Sequence, residues 1–343
     1  MNYLEVPTKD TRYTYPTGRI RGLEKYLLKP GDFARIKEGK DLSDSFQNLS
    51  RFYPYSESMK VCDSPEDFER GFEEEWKRVY LELRSFAPEP ELVDLFWLEQ
   101  DFHNIKVGLK IKVRQKVLQD TRDVKHLSLS GTLNPSLLMD ALTREDLSSL
   151  PSFFKEVISH AMQMIEKGAV SREIDFFLDR MYFSKFSSGL SEYGDDFLEE
   201  LAKKLIDNFN VKSFLRIKLW KREDEKKIFS QVILDGGTFE KEKIVALAGE
   251  PLDSSISFFG SIYRPILQKA LEEWRVNKTL FTLDKALGKV ILDFTSRGFY
   301  MTFGREPLVN YILIRKLEIT TLRSILRAKK ANLTLEEMEK IGL

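Results

Sequence analysis

From Glu91 onward the apolar residues Leu92, Leu95, Phe96, Ile105, Leu109 and Val113 recur at spacings of three and four, predicting a long helix of about six turns. An earlier helix is predicted from Ser64 to about Arg84. Ser64 is placed to cap it, Pro65 takes the first helical position, Glu66 and Asp67 put negative charge in the first turn, and Ala87-Pro88-Glu89-Pro90 ends it. Further helical patterns cover about 136–144, 152–167, 171–186, 195–222, 252–276, 280–294, 305–330 and 334–341. Most follow a capping signal, such as Asn134-Pro135-Ser136, Pro151-Ser152, Asp195-Asp196 or Thr334-Leu335-Glu336-Glu337. Alternating patterns are scarce, and Val232-Ile233-Leu234 and Phe299-Tyr300-Met301 are the two candidates for short strands. The expected fold class is all-α.

Self-similarity adds an architecture to this pattern. Asn104-Ile105-Lys106-Val107-Gly108-Leu109-Lys110 lies 106 positions before Asn210-Val211-Lys212-Ser213-Phe214-Leu215-Arg216, and Thr321-Leu322-Arg323-Ser324-Ile325-Leu326-Arg327 follows 111 positions later. In each, two basic residues at i and i+4 flank an apolar set, as a helix with one buried and one wet face requires. Ser130-Gly131-Thr132-Leu133 matches Gly236-Gly237-Thr238-Phe239 at the same offset of 106. Three related helical units are therefore expected, with boundaries at about 1–120, 121–228 and 229–343.

Composition narrows the functions open to such a chain. Its 343 residues carry 54 Lys+Arg against 54 Asp+Glu, so no net field draws it to nucleic acid or to an anionic membrane. One cysteine excludes an internal disulfide and multi-cysteine zinc patterns, and three histidines leave little for metal chemistry; no cofactor is expected. The first residues lack the basic and apolar pattern of a secretory signal, and no run approaches the ~18 apolar residues of a membrane span, so a soluble, cytoplasmic protein is expected.

Candidate chemistry is sparse. The phosphate-cradle patterns GxxxxGK[ST] and GxGxxG, the metalloprotease pattern HExxH and the nucleophile-elbow pattern GxSxG are all missing. Asp235-Gly236-Gly237-Thr238 has the look of an anion-binding turn, but its recurrence near Gly131 favours a structural loop. Cys62 has no histidine nearby in sequence and reads as a half-buried thiol. Asp101 and His103 are the one acid/base pair to consider, which leaves a helical scaffold or an enzyme of this region as an alternative, although i and i+2 point to different helix faces. Lys106, Lys110, Lys112, Arg114 and Lys116 form a basic run; a wet helix face explains it more simply than nucleic-acid binding, since no aromatic residues interleave it.

Gly304-Arg305-Glu306-Pro307-Leu308, Tyr311, Lys316-Leu317-Glu318-Ile319, Leu322-Arg323 and Leu326 resemble the signature of the C subunit of archaeal and bacterial V-type rotary ATPases, called d in the vacuolar enzymes. Tyr13, Tyr15, Arg19-Ile20-Arg21 and Leu27-Leu28 are similar to that family's opening helix, with Gly18 where alanine is more usual, and Asp101-Phe102-His103-Asn104-Ile105-Lys106 is similar to its first repeat. Leu333-Thr334-Leu335-Glu336-Glu337 resembles the family's acidic closing helix, while much of 120–300 matches in helical pattern and length alone. The resemblance implies a non-catalytic rotor subunit: three similar helical domains in a pseudo-threefold funnel, peripheral on the cytoplasmic face of the proteolipid ring. The central stalk, made of D- and F-type subunits, would plug into its cavity. On that reading Lys106, Lys110, Lys212, Arg216, Arg323 and Arg327, equivalent in the three units, are the candidate lining that meets acidic groups on the stalk.

Overall fold

The computed structural model describes residues 11–118, 127–220, 224–340 and 343. Among them there is no strand, and the α-helices are α1 (Thr14–Glu24), α2 (Pro30–Lys37), α3 (Leu42–Leu49), α4 (Tyr55–Ser58), α5 (Phe68–Phe86), α6 (Pro90–Leu118), α7 (Pro135–Arg144), α8 (Ser152–Glu166), α9 (Ser171–Ser191), α10 (Asp196–Trp220), α11 (Glu225–Val232), α12 (Lys241–Ala246), α13 (Leu252–Ser255), α14 (Gly260–Asn277), α15 (Phe281–Thr295), α16 (Glu306–Lys330) and α17 (Leu335–Lys340). The chain forms two compact bodies, Met1–Val93 with Val276–Leu343, and Asp94–Arg275.

In the first body α16 is the axis, packed by α1, α2, α3, α5 and α15. Against these neighbours it buries Leu308, Val309, Ile312, Ile319, Leu322, Ile325 and Leu326 with the polar Asn310, Arg315, Glu318 and Lys329, and it leaves Leu317, Thr320 and Arg327 exposed along one stripe. In the second body α10 packs on α9 and α11, and α8 packs on α9. Its core is built from Phe197, Leu198, Leu201, Val211, Phe214 and Leu215 of α10 and from Trp97, Phe102, Ile105 and Leu109 of α6. A fully buried side chain of this size contributes about 1.5–3 kcal/mol, so each long helix is held mainly by its apolar contacts.

Most predicted helices are present, and the departures have local causes. The segment from Ser64 opens as a 3-10 turn over Pro65–Asp67 before α5 begins. The pattern over 252–276 is divided into α13, a 3-10 turn at Ile256–Phe259 and α14, because Gly260 takes φ +66, outside the helical region. Neither strand candidate is a strand. Val232 ends α11, Leu234 pairs its backbone with the side chain of Asn210, and Phe299 closes a 3-10 turn with no extended neighbour. Apolar triplets there serve helix ends, which local sequence alternation does not distinguish from strands.

The repeat faces are assigned by Leu109, Leu215 and Leu326, exposed by 2%, 0% and 0%. Each of Leu109→Asp, Leu215→Asp and Leu326→Asp is expected to lower unfolding free energy by about 3 kcal/mol or more in denaturant titration, since each buries an unpaired charge. Losses below about 1 kcal/mol for all three would show the faces to be misassigned.

Candidate functional site

Three of the long helices carry the same device, a carboxylate and a lysine that hold a neighbouring segment at its two ends. On α6, Asp101 accepts hydrogen bonds from the Thr132 hydroxyl at 2.6 Å and from the Leu133 backbone N–H at 2.8 Å, immediately before α7. On α10, Asp207 accepts from the backbone N–H groups of Thr238 at 2.8 Å and Phe239 at 3.4 Å, immediately before α12. On α16, Glu318 accepts from the Leu28 N–H at 2.7 Å, just before α2. Gly131 and Gly237 are required by this approach, because a Cβ at either would strike the carboxylate oxygen.

Eleven residues further along each helix stands a lysine. Lys112 donates to the Leu142 carbonyl at 2.9 Å, Lys218 to the Leu247 and Glu250 carbonyls at 2.7 and 2.9 Å, and Lys329 to the Gly39 carbonyl at 2.6 Å. Eleven residues are close to three turns, about 16 Å, so acid and lysine share a face and span a short helix lying alongside. The carboxyl stands at that helix's positive end and the lysine charge at its negative end. In the first two clamps an asparagine one turn after the acid fixes the incoming loop: Asn104 exchanges hydrogen bonds with Ser128 at 2.7 and 2.9 Å, and Asn210 with Leu234 at 2.8 and 3.0 Å. The third clamp is closed by the N-terminal segment, which supplies both Leu28 and Gly39.

The clamps differ in how their acid is balanced. Asp101 is fully buried, and desolvation pushes its carboxyl up from 3.8 to about 7 against the hydrogen bonds from Thr132 and Leu133. Burial raises Asp207 as well, with the Thr238 contacts opposing it. Glu318 instead belongs to a buried ionic cluster in which Arg315 binds both Glu318 and Glu75, Tyr55 donates to Glu318 at 2.7 Å, and Arg78 joins Glu75 to Glu82 at 2.8 and 2.7 Å. Burial works against the charge on Arg315, but Tyr55, Glu318 and Glu75 together hold its pKa above the ordinary value.

A second junction forms at Glu89, in the Pro-rich break before α6. Its carboxylate takes a two-toothed contact from Arg305 at 2.7 Å on each oxygen, the Tyr13 hydroxyl at 2.6 Å and Arg12 at 3.1 Å. Burial of Glu89 favours its neutral form, yet these contacts, Arg305 first, bring its pKa below the usual range. Arg21 nearby in sequence donates to the carbonyls of Gly298 and Met301.

Of the basic positions singled out by the repeat, Lys106, Lys110, Arg323 and Arg327 stand in local ion pairs. Lys106 meets Asp179 at 2.5 Å and Lys110 meets Asp175 at 3.1 Å, both on α9. Arg323 reaches Glu69 and Glu73 at 2.9 Å each, and Arg327 reaches Glu69 at 2.6 Å, all on α5. On α10 Lys212 is half-buried and Arg216 exposed. Asp101 and His103 are separated as their spacing implied: Asp101 is committed to the 132–133 loop while His103 faces solvent. The side chains of Arg114 and Lys116, and all of His126, lie outside the described residues. Missed in the sequence was the clamp role, although Asp101 was considered as half of an acid/base pair and Lys112 as part of a basic run. Asp101, Asp207 and Glu318, and Lys112, Lys218 and Lys329, stand at the same offsets of 106 and 111 and were legible once those offsets were known.

Removing one end of a clamp leaves the backbone groups held at that end without their partner, so Asp207→Ala and Lys218→Met are each expected to cost about 2–4 kcal/mol by denaturant titration. The Asp101 clamp is also pH-dependent. Its native carboxyl holds a proton to higher pH than the unfolded chain does, so its contribution is full below about pH 4 and is lost as pH rises through about 7. Relative to Asp101→Asn, the wild-type chain is expected to lose on the order of 2 kcal/mol of stability between pH 5 and 8; parallel pH profiles would contradict this.

Comparison with known proteins places these features in a family. Residues 16–341 match the sequence model of the ATP synthase (C/AC39) subunit family. The C subunit of the V-type sodium ATPase of Enterococcus hirae is 23% identical over 94% of this chain and 95% of its own length. The C subunits of the A-type ATP synthases of Thermococcus onnurineus and Methanocaldococcus jannaschii are 26% and 25% identical, over 92% and 96% of this chain and 86% of each relative. Among the described residues no helix is long and apolar enough to cross a membrane. The chain belongs to the C/AC39 family and is a non-catalytic subunit of a rotary ATPase complex.

Proposed function

We propose that this subunit is part of the central rotor, seated on the cytoplasmic face of the proteolipid ring and receiving the foot of a stalk made of D- and F-type subunits, so that ring and stalk turn together. The observation that carries this reading is the recurrence of one charged clamp on α6, α10 and α16. A coupler transmits torque only if its helices neither slide nor splay. Packed interiors resist compression, and a clamp closed at both ends opposes sliding along the helix axis. On this reading the three long helices belong one to each of three related units, approximately 1–120, 121–228 and 229–343, in a pseudo-threefold funnel. No cofactor takes part.

Stalk contact through Lys106, Lys110, Lys212, Arg216, Arg323 and Arg327 belongs to the same proposal. The intrachain ion pairs of Lys106, Lys110, Arg323 and Arg327 orient their heads without burying them fully. Arg216 is exposed on α10.

Purified protein is expected to bind the stalk subunits and, in a separate experiment, the detergent-solubilised proteolipid ring. Binding to neither would refute the proposal. Arg216→Glu is expected to weaken stalk binding several-fold, most at low salt; unchanged affinity across salt concentrations would remove Arg216 from the interface.

A further inference from the structure

A matched ladder of ion pairs joins α9 to α6 and α5 to α16. Lys106 and Lys110 reach Asp179 and Asp175, Arg323 and Arg327 reach Glu73 and Glu69, and the acids of the two ladders again stand 106 positions apart. The same offsets match Ile174 to Phe68 and Val113 to Lys330. The two places are filled differently. Beside α16, Phe68 is 1% exposed, and the Lys330 ammonium lies 5.6 Å over its ring while donating to the Glu66 carbonyl at 3.1 Å. Beside α6, the smaller Ile174 and Val113 line a cavity of about 540 Å³ enclosed by α6, the end of α8 and the start of α9.

Its floor is apolar, with Leu109 2% and Ile174 8% exposed and with Ile165 and Ala169 on the α8 side. Its mouth carries charge of both signs. Lys110 donates to Asp175 Oδ2 at 3.1 Å, and Lys106 stands one turn earlier on α6. Asp175 Oδ1 is shut off from water and, among the described residues, meets no donor. A carboxylate oxygen in that state is an unmet acceptor, costly unless a bound molecule supplies the donor. Protein interiors are otherwise packed to the density of organic crystals, and the place beside α16 shows that such a helix arrangement can be closed by its own side chains. A volume within the range of about 300–1,000 Å³, mostly apolar and with a few convergent polar groups, suits a small molecule.

We propose that this cavity binds one small uncharged amphiphile, an aliphatic chain ending in a hydroxyl group, with its chain on Leu109 and Ile174 and its hydroxyl donating to Asp175 Oδ1 while accepting from the Lys110 ammonium. Charge selects the head. A carboxylate or phosphate head would lie against Asp175, and an ammonium head against Lys106 and Lys110. A hydroxyl meets both needs of the mouth, because it has one donor and two lone pairs, and a lysine ammonium has three N–H groups of which Asp175 takes one. Burial of the chain's methylene groups on the floor supplies the affinity. The site does not depend on where the subunit docks, and it stands or falls apart from the rotor reading.

The test titrates the methyl-labelled full-length chain with 1-octanol, octanoate and octylammonium, read by NMR. Octanol is expected to shift the methyl signals of Leu109, Val113, Ile165 and Ile174 saturably, and the two charged chains to need about tenfold higher concentration for the same shift. Asp175→Ala is expected to weaken octanol about tenfold and to leave octanoate no weaker. Ile174→Phe, which installs the residue found beside α16, and Ala169→Leu, which fills the space from the loop after α8, are each expected to abolish the octanol shifts while methyl signals elsewhere stay in place. Wild-type methyls that show no saturable shift, an equal response to the three heads, or octanol binding that survives both filled variants would each overturn the proposal.

Discussion

A charged residue on the buried face of a packed helix cannot turn to water, and that constraint organises this protein. The long helices α10 and α16 sit among other helices, yet carry Asp207, Lys218, Glu318, Arg315 and Lys329 in positions at most 8% exposed. Such charges are tolerated inside a protein only when paired or fully hydrogen-bonded. Arg315 pairs with Glu318 and Glu75, and the others meet the ends of neighbouring short helices, whose unsatisfied N–H and C=O groups are the complementary need. Each clamp settles two deficits at once, and in doing so fixes the axial register of one helix against another.

The third clamp departs from the other two in ways that follow from chain connectivity. The loops that close the first two arrive within about thirty residues of the acid, from Asp101 to Leu133 and from Asp207 to Phe239. For Glu318 the partner Leu28 lies 290 positions away, so the closing contact is made between distant ends of the chain. Longer loop closure costs more entropy, and this is where the Arg315, Glu75, Tyr55 and Arg78 cluster adds charge-assisted bonds that Asp101 lacks. The Glu89, Tyr13 and Arg305 junction ties the same segments again. Family-like residues near the two ends of the sequence, Tyr13, Arg21 and Arg305 among them, thus have a shared structural task.

The helices were legible because 3.6-residue periodicity and capping signals are local. The unit offset was legible because Gly-Thr recurred at Gly131-Thr132 and Gly237-Thr238, and the structure gives the reason: those residues deliver backbone and hydroxyl groups to a buried carboxylate through a space too small for a Cβ. What could not be read was direction. Lys106 and Lys112 both lie in one basic run, but Lys106 turns to Asp179 on α9 whereas Lys112 caps the end of α7. Sequence spacing places both on a helix and says nothing of which neighbour stands opposite. Non-local closure by Leu28 and Gly39 was invisible for the same reason, and Phe299 and Tyr300 read as a strand because exposure leaves no mark on an apolar triplet.

For a non-catalytic subunit of a rotary ATPase the central claim is mechanical: buried carboxylates and lysines lock short helices to long ones. Residue-resolved native-state hydrogen exchange measures this directly at the backbone amides of Leu28, Leu133 and Phe239. The account predicts that all three exchange as slowly as the core amides of α10 and α16, and that replacing one acid speeds exchange at its own clamped amide first. Fast exchange of these amides in the wild-type chain, or protection unchanged when the acid beneath is removed, would contradict it.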